Sequence, residues 1–272
     1  MIKMRPSYHL TLFKMRLLQG LTYRTAALAG IATQFFWGMI LIMMFIAFYG
    51  ATESVNGFTK DHLVTYIWLQ QAFLAFIALW MRDQDLFKLI ETGNIAYELC
   101  RPVNIYTFWY TKLLSTRLAS AALRCLPILV FALFFPKPYN LMLPESIATL
   151  TLFILSLMLG VMINVAISMF IYISVFVTLS PMGSLLLFSV IGEFLAGLVI
   201  PIPLMPETLR NILYLLPFRY TADFPFRVYS GNLSSQEAIT GIALQLLWLT
   251  LLPILGNHLM KKALKYLVVQ GG

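Results

Sequence analysis

Residues 93–110 read GNIAYELCRPVNIYTFWY, a more polar stretch with helical character that lies between two long apolar stretches. Apolar residues make up 60% of the 272-residue chain, charged residues only 11%, and the mean hydropathy is +0.83. A soluble domain has about a quarter of its residues charged. The composition therefore predicts an all-α, polytopic membrane protein, because lipid offers unpaired backbone groups no partners and favours spanning helices of about 20 residues.

Six apolar stretches predict six spans. Their bounds are 26–49, 61–80, 106–135, 147–178, 182–200 and 237–260. Lysine and arginine concentrate at the amino end, between the second and third spans, and at the carboxy end, which predicts cytoplasmic termini. Basic loops facing anionic lipid explain the net charge of +8 without nucleic acid.

The segment before the first span, residues 8–25, places leucines on one helical face and basic residues on another. This pattern predicts a helix lying in the membrane interface. A solvated basic tail is the alternative.

The loop between spans two and three, residues 83–104, repeats apolar residues at helical spacing through Leu86, Leu89 and Ile90. This pattern predicts a short amphipathic helix. The helix either packs against the cytoplasmic end of the bundle or docks a soluble partner.

Residues 201–235, PIPLMPETLRNILYLLPFRYTADFPFRVYSGNLSS, are too apolar for a free loop and too rich in proline for a span. They predict an outer re-entrant segment of short helices, since non-helical backbone at membrane depth must be buried in protein or line a cavity. A lid packed on the outer face and a substrate gate are both compatible with the sequence.

Two charged residues stand out because they fall well inside predicted spans. Arg124 lies inside the third and Glu193 midway along the fifth. Ionisable groups at this depth face a partner or a wet cavity. The two side chains either pair with each other or stand apart, in which case Glu193 lines a transport path or is protonated.

The whole chain resembles the permease subunit of a type-2 ATP-binding-cassette (ABC) transporter and forms a single transmembrane permease domain, 1–272. It is similar in particular to a bacterial subfamily with a G-x-I-A-x-E-L-x-R-P-x-N element. That element is found here at Gly93, Ile95, Ala96, Glu98, Leu99, Arg101, Pro102 and Asn104. The pieces G-L-V-I-P-x-x-L-x-P (197–206) and L-P-F-R-Y (216–220) also fit.

The resemblance implies an exporter in the inner (cytoplasmic) membrane, surrounded by lipid. A cytoplasmic ABC ATPase dimer would bind ATP and Mg, and a second permease, identical or divergent, would complete the path. Residues 83–104 would be the coupling segment, with Leu89 and the eight motif residues at the ATPase. The outer gate would comprise Pro201, Pro203, Pro206, Pro217, Phe218 and Arg219.

Motifs for chemistry are missing from the sequence. It has no G-x-x-x-x-G-K-[S/T] phosphate loop, so neither ATPase activity nor a cofactor is expected in this chain. The three histidines are scattered and no Cys/His cluster has zinc spacing, so no metal site is expected. An ion-gradient-driven secondary transporter remains the alternative function. An intramembrane enzyme would need paired acids or a Ser/Lys pair at depth.

Overall fold

The computed structural model describes residues 10–11, 13–15, 18, 24–50, 52–178 and 180–266. The elements in chain order are α1 (Arg24–Tyr49), β1 (Ser54–Val55), β2 (Phe58–Thr59), α2 (Lys60–Ala72), α3 (Leu74–Ile77), α4 (Gln84–Glu91), α5 (Ile95–Leu99), α6 (Ile105–Phe134), α7 (Ile147–Thr178), α8 (Pro181–Leu195), α9 (Glu207–Leu215), α10 (Asp223–Tyr229) and α11 (Ser235–Ala263), with 3₁₀ turns at Ile202–Leu204, Pro217–Thr221 and Leu264–Tyr266. The predicted interfacial helix at 8–25 lies largely outside the described residues and stays a prediction.

Four helices in the described part of the chain, α1, α6, α7 and α11, are long and apolar enough to cross a membrane. They correspond to the first, third, fourth and sixth predicted spans and confirm an all-α, polytopic membrane protein. The bounds of α7 agree residue for residue with the predicted 147–178. Strands β1 and β2 form a small antiparallel hairpin between α1 and α2.

Helix α7 is the centre of the bundle. In its apolar stretch 61% of residues are buried within the protein, against 22% to 28% in the other three long helices. It contacts α6, α8, α10, α11 and the turn at 217–221. The other long helices therefore keep broad apolar faces for lipid or a further subunit, while most of the apolar stretch of α7 packs against protein.

The second predicted span, 61–80, is wrong as a continuous helix. Helix α2 ends at Ala72, Phe73 leaves helical geometry with φ −104° and ψ 21°, and the four-residue α3 follows. The apolar composition of the stretch gives no sign that α3 ends at Ile77, because the groups that satisfy its last carbonyls lie on other helices.

Arg117 of α6 stabilises the broken helix. Its guanidinium is 3% exposed, and Nη1 donates hydrogen bonds to the carbonyl oxygens of Ala75 (3.1 Å) and Ala78 (2.8 Å). The Asn164 amide of α7 donates to the carbonyl of Phe76 at 2.6 Å. These carbonyls stand at a helix carboxy end, where the dipole favours a cation and each buried acceptor needs a donor.

A row of small and polar residues on α7 supports the irregular segments on both sides. Ser156, Gly160, Asn164 and Ser168 lie four residues apart and are all buried, so they share one inclined face of the helix. Ser168 accepts a hydrogen bond from Arg117 Nη2 at 3.1 Å, at the end of the row near α3. The other end of the row faces the turn at 217–221.

The fifth predicted span, 182–200, is shorter than expected. Helix α8 ends at Leu195, and its 15 residues reach about 22 Å at 1.5 Å per residue, less than the roughly 30 Å of a hydrocarbon core. Gly197 ends it with φ +78°, donating to the Phe194 carbonyl while Leu198 donates to the carbonyl of Glu193. This is a Schellman cap, which requires a left-handed residue that glycine adopts without strain.

Replacing Arg117 with methionine should destabilise the protein by roughly 3 kcal/mol, because buried carbonyls at the end of α3 lose their donor. Arg117→Lys should lose part of this, since one ammonium cannot reproduce the fork of a guanidinium. The thermal unfolding midpoint in detergent measures the effect. Arg124→Met on the same helix is the matched control, and equal midpoints for both methionine variants would show that Arg117 has no capping role.

Candidate functional site

Asp83, the N-cap residue of α4, fixes this helix to the bundle. The Asp83 carboxylate caps the helix by accepting hydrogen bonds from the backbone N–H groups of Asp85 (3.1 Å) and Leu86 (3.3 Å). The same carboxylate pairs with Lys112 of α6 at 2.9 Å. The backbone N–H of Asp83 donates to Tyr172 Oη of α7 at 2.8 Å. One residue thus joins α4 to two long helices.

Helix α4 is amphipathic, as its apolar spacing predicts. Leu86, Phe87 and Ile90 are buried, and the Phe87 ring stacks on Tyr172 with centroids 4.7 Å apart. Leu89 is half-buried at the edge. The exposed face carries Gln84, Asp85, Lys88 and Glu91. Movement of α4 would therefore be transmitted to α7 through tightly packed side chains.

Helix α5 presents an apolar surface to solvent. Gly93 makes the turn between α4 and α5 with φ +72°, and Ile95 anchors α5 with 0% exposure. Tyr97 is 76% exposed and Leu99 is 42% exposed on the outer side. Large apolar residues exposed on a short polar segment are typical of an interaction surface. Sequence reasoning did not select Tyr97, because the sequence alone does not show that Ile95 is buried while Tyr97 is exposed.

Glu98 faces the protein instead of the solvent. Its Oε2 accepts a hydrogen bond from the indole Nε1 of Trp109, a residue with 0% exposure, at 2.5 Å. Buried indoles need an acceptor, so Glu98 holds α5 against α6. The remaining motif residues divide between the two sides. Ala96 is half-buried, while Arg101 and Pro102 are exposed, and the Arg101 guanidinium lies 5.6 Å from the Phe108 ring centroid.

Asn104 joins the coupling segment to the last helix. Its side-chain oxygen caps α6 by accepting from the backbone N–H of Thr107 at 3.1 Å. Its amide donates to Asn257 Oδ1 of α11 at 3.1 Å. The last motif residue therefore has a structural role at the junction of α5, α6 and α11.

At the opposite end of the bundle, prolines shape residues 201–235. Pro201 and Pro203 are buried, and the Pro203 carbonyl accepts a hydrogen bond from Asn56 of the hairpin at 2.8 Å. Pro206 precedes α9, and the buried Pro217 opens the turn at 217–221. Fixed φ and a missing N–H make proline suitable at such starts.

The turn at 217–221 lies deep among the long helices. Gly160, against which it packs, is about 20 Å from the Ile147 end of α7 at 1.5 Å per residue. A Cβ on Gly160 would lie 2.9 Å from the carbonyl oxygen of Tyr220. The fully buried Gln245 of α11 donates to that carbonyl at 3.0 Å and to the Ser156 carbonyl at 2.8 Å. The turn is thereby fixed to α7 and α11.

Phe218 of the turn lies close to Leu79. A Cβ on Gly192 of α8 would lie 3.3 Å from the Phe218 ring and would overlap the Leu79 side chain. Leu79 stands between α3 and α4. The proline-rich segment therefore approaches the stretch of chain that leads into α4.

A buried charge cluster follows the turn. Asp223 is 0% exposed, and its Oδ2 lies 3.7 Å from Arg227 Nη1 and 4.0 Å from Arg219 Nε. Burial raises the pKa of Asp223 above its ordinary value, and the two guanidinium groups offset part of this. Arg219 stacks on Tyr214, 4.1 Å from its ring centroid.

Arg124 and Glu193 stand apart. Among the described residues, no ion pair within 4 Å joins the two side chains. The structure therefore does not support the alternative in which they pair with each other. The Arg124 guanidinium lies beside Gly30 of α1, and Glu193 Oε1 is buried without a hydrogen-bond partner. Sequence reasoning missed Arg117 as the fully buried cation of the third span, because its acceptors are backbone carbonyls without a sequence signature.

The sequence profile of the family described as "ABC-2 family transporter protein" matches residues 35–271. The chain belongs to the ABC-2 transporter family. An ABC-2 permease is a membrane component of a transporter, and membership implies association with an ABC ATPase. No curated protein matches this chain.

Gly160→Ala should impair the packing of the 217–221 turn against α7, because the new methyl group lies too close to the backbone carbonyl of Tyr220. We expect a loss of about 1–3 kcal/mol in stability, the usual cost of overpacking. Thermal unfolding in detergent measures it. Gly30→Ala is the control, since its methyl meets only the flexible end of Arg124. An unchanged Gly160→Ala midpoint would contradict the close approach of the turn to α7.

Proposed function

We propose that the chain is the permease subunit of an ATP-driven exporter in the inner membrane, with both termini in the cytoplasm. It acts without hydrolysing ATP itself. A separate cytoplasmic ABC ATPase dimer binds ATP and Mg, and a second permease subunit, a copy of this chain or a divergent one, faces it across the path. Membership of the ABC-2 family supports the transporter role. The surface formed by α4 and α5 supports the docking of a soluble partner.

The docking surface is proposed to centre on Tyr97 and Leu99, with Arg101 and Pro102 beside them. Exposed aromatic and aliphatic anchors with an adjoining arginine are typical of interface hot spots. This surface is supported from the protein side by four further residues, Leu89, Ile95, Glu98 and Asn104. We thus propose that some residues of the motif contact the ATPase while others support that contact surface.

The path from the docking surface to the gate runs through packed elements. Movement of α4 acts on α7 through Asp83 and Phe87, and on Leu79 directly along the chain. Leu79 adjoins Gly192 and Phe218, so it reaches the proposed re-entrant gate at 201–235. Nucleotide binding would change the state of this gate only if one conformation of the permease fits the closed ATPase better.

Tyr97→Ala combined with Leu99→Ser should weaken ATPase binding about tenfold or more, since truncating interface anchors costs on the order of 2 kcal/mol. The measurement is the amount of ATPase that co-purifies in mild detergent and the ATP-dependent export by the reconstituted complex.

The control for these docking variants is Leu143→Ala, which truncates a 71% exposed leucine near the amino end of α7. It should leave co-purification unchanged. Full ATPase recovery with the double variant would place docking elsewhere.

One observation favours a secondary transporter as a second candidate, namely the buried, unpartnered Oε1 of Glu193. Gradient-driven transport uses such carboxylates as proton sites. Under the ABC proposal, Glu193→Gln should retain ATP-dependent export at all pH values tested in proteoliposomes. Export by this chain alone under a pH gradient, abolished in Glu193→Gln, would establish the alternative.

A further inference from the structure

A cleft of about 540 Å³ opens between the 217–229 region and the first turns of α11. Its lining includes three charged residues, Arg219, Arg227 and Glu237. It also includes the apolar side chains of Tyr220, Phe224 and Leu244. A site lined by both charged and apolar side chains fits an amphiphile.

Arg219 in this cleft has unused hydrogen-bonding capacity. Its side chain is only 11% exposed, yet Nε is buried without a hydrogen-bond partner, and its contacts are an aromatic stack and a 4.0 Å approach to Asp223. Arg227 is better satisfied, with Nε bonded to Asn232 at 2.7 Å and Nη1 to Tyr214 at 3.0 Å. A guanidinium that lacks an acceptor is suited to a phosphodiester, which can accept two parallel hydrogen bonds.

The opposite wall of the cleft carries a negative charge. Glu237 is exposed on α11, and only its Oε2 is engaged in the capping box with Ser234. This carboxylate interacts electrostatically with both arginines, and the buried Asp223 lies within 4.0 Å of each of them. Two positive and two negative groups balance, so the site suits neither a simple anion nor a simple cation.

We propose that the cleft binds the headgroup of a zwitterionic phospholipid. The phosphodiester accepts hydrogen bonds from Arg219, the ammonium group lies toward Glu237, and the first methylene groups of the acyl chain cover Tyr220, Phe224 and Leu244. The proposed lipid site does not depend on whether the chain works with an ATPase.

The test uses probes that share one fluorescent acyl chain and differ in the headgroup. Lysophosphatidylcholine is zwitterionic, lysophosphatidylglycerol is anionic, and an alkyl maltoside is uncharged. Fluorescence titration of the purified chain in detergent should show tightest binding for lysophosphatidylcholine. Glycerophosphocholine, the soluble headgroup without a chain, should compete poorly, and equal competition would overturn a lipid site in favour of a free phosphodiester.

Blocking the cleft provides a variant that leaves the charge cluster intact. Thr240→Trp places an indole in the cleft from an exposed position and should weaken lysophosphatidylcholine binding about tenfold. Ile239→Trp, on the neighbouring 62% exposed residue outside the cleft, is the control and should bind as the unmodified chain does. Equal binding by both variants would overturn the site.

Glu237→Gln tests the ammonium contact. Glutamine keeps the capping box, so the helix start should be preserved. The preference for lysophosphatidylcholine over lysophosphatidylglycerol should fall about tenfold or invert, because the negative wall is lost. An unchanged preference would contradict a zwitterionic headgroup in this orientation.

Discussion

Every buried carbonyl of a broken helix needs a hydrogen-bond donor, and inside a membrane water does not supply one. This chain meets that requirement with side chains from α6, α7 and α11. Arg117 and Asn164 satisfy the end of α3, and Gln245 satisfies the turn at 217–221. Residues 83–104 follow the end of α3 and residues 201–235 contain the 217–221 turn, so both segments adjoin these bonds.

The long helices could be predicted from composition, since about 20 apolar residues in a row have few alternatives in lipid. The end of α3 at Ile77 could not, because the side chains that satisfy its carbonyls lie about 40 residues away in α6 and further still in α7. The early end of α8 was predictable in part. Gly197 before a proline-rich stretch is a known helix-ending signal, yet apolar residues beyond it extended the predicted span.

That residues 83–104 form the docking site stays a prediction. Which residues of the motif at 93–104 face outward depends on how α5 rests on Trp109. Glu98 turns inward for that reason, and Tyr97 takes the exposed position. The sequence also shows a row of four small or polar residues in an apolar helix, namely Ser156, Gly160, Asn164 and Ser168. This spacing would have indicated the face of α7 that supports irregular backbone.

The central claim, that the α4–α5 surface receives an ABC ATPase, is tested most directly through Cys100. This thiol is exposed beside Leu99 and Arg101, and Cys125 is the second free cysteine among the described residues. A photoactivatable cross-linker on Cys100, in a Cys125→Ser background and in native membranes, should capture an ABC ATPase identified by mass spectrometry. Cross-linking only to lipid or to no protein, while the chain still supports transport, would contradict the account.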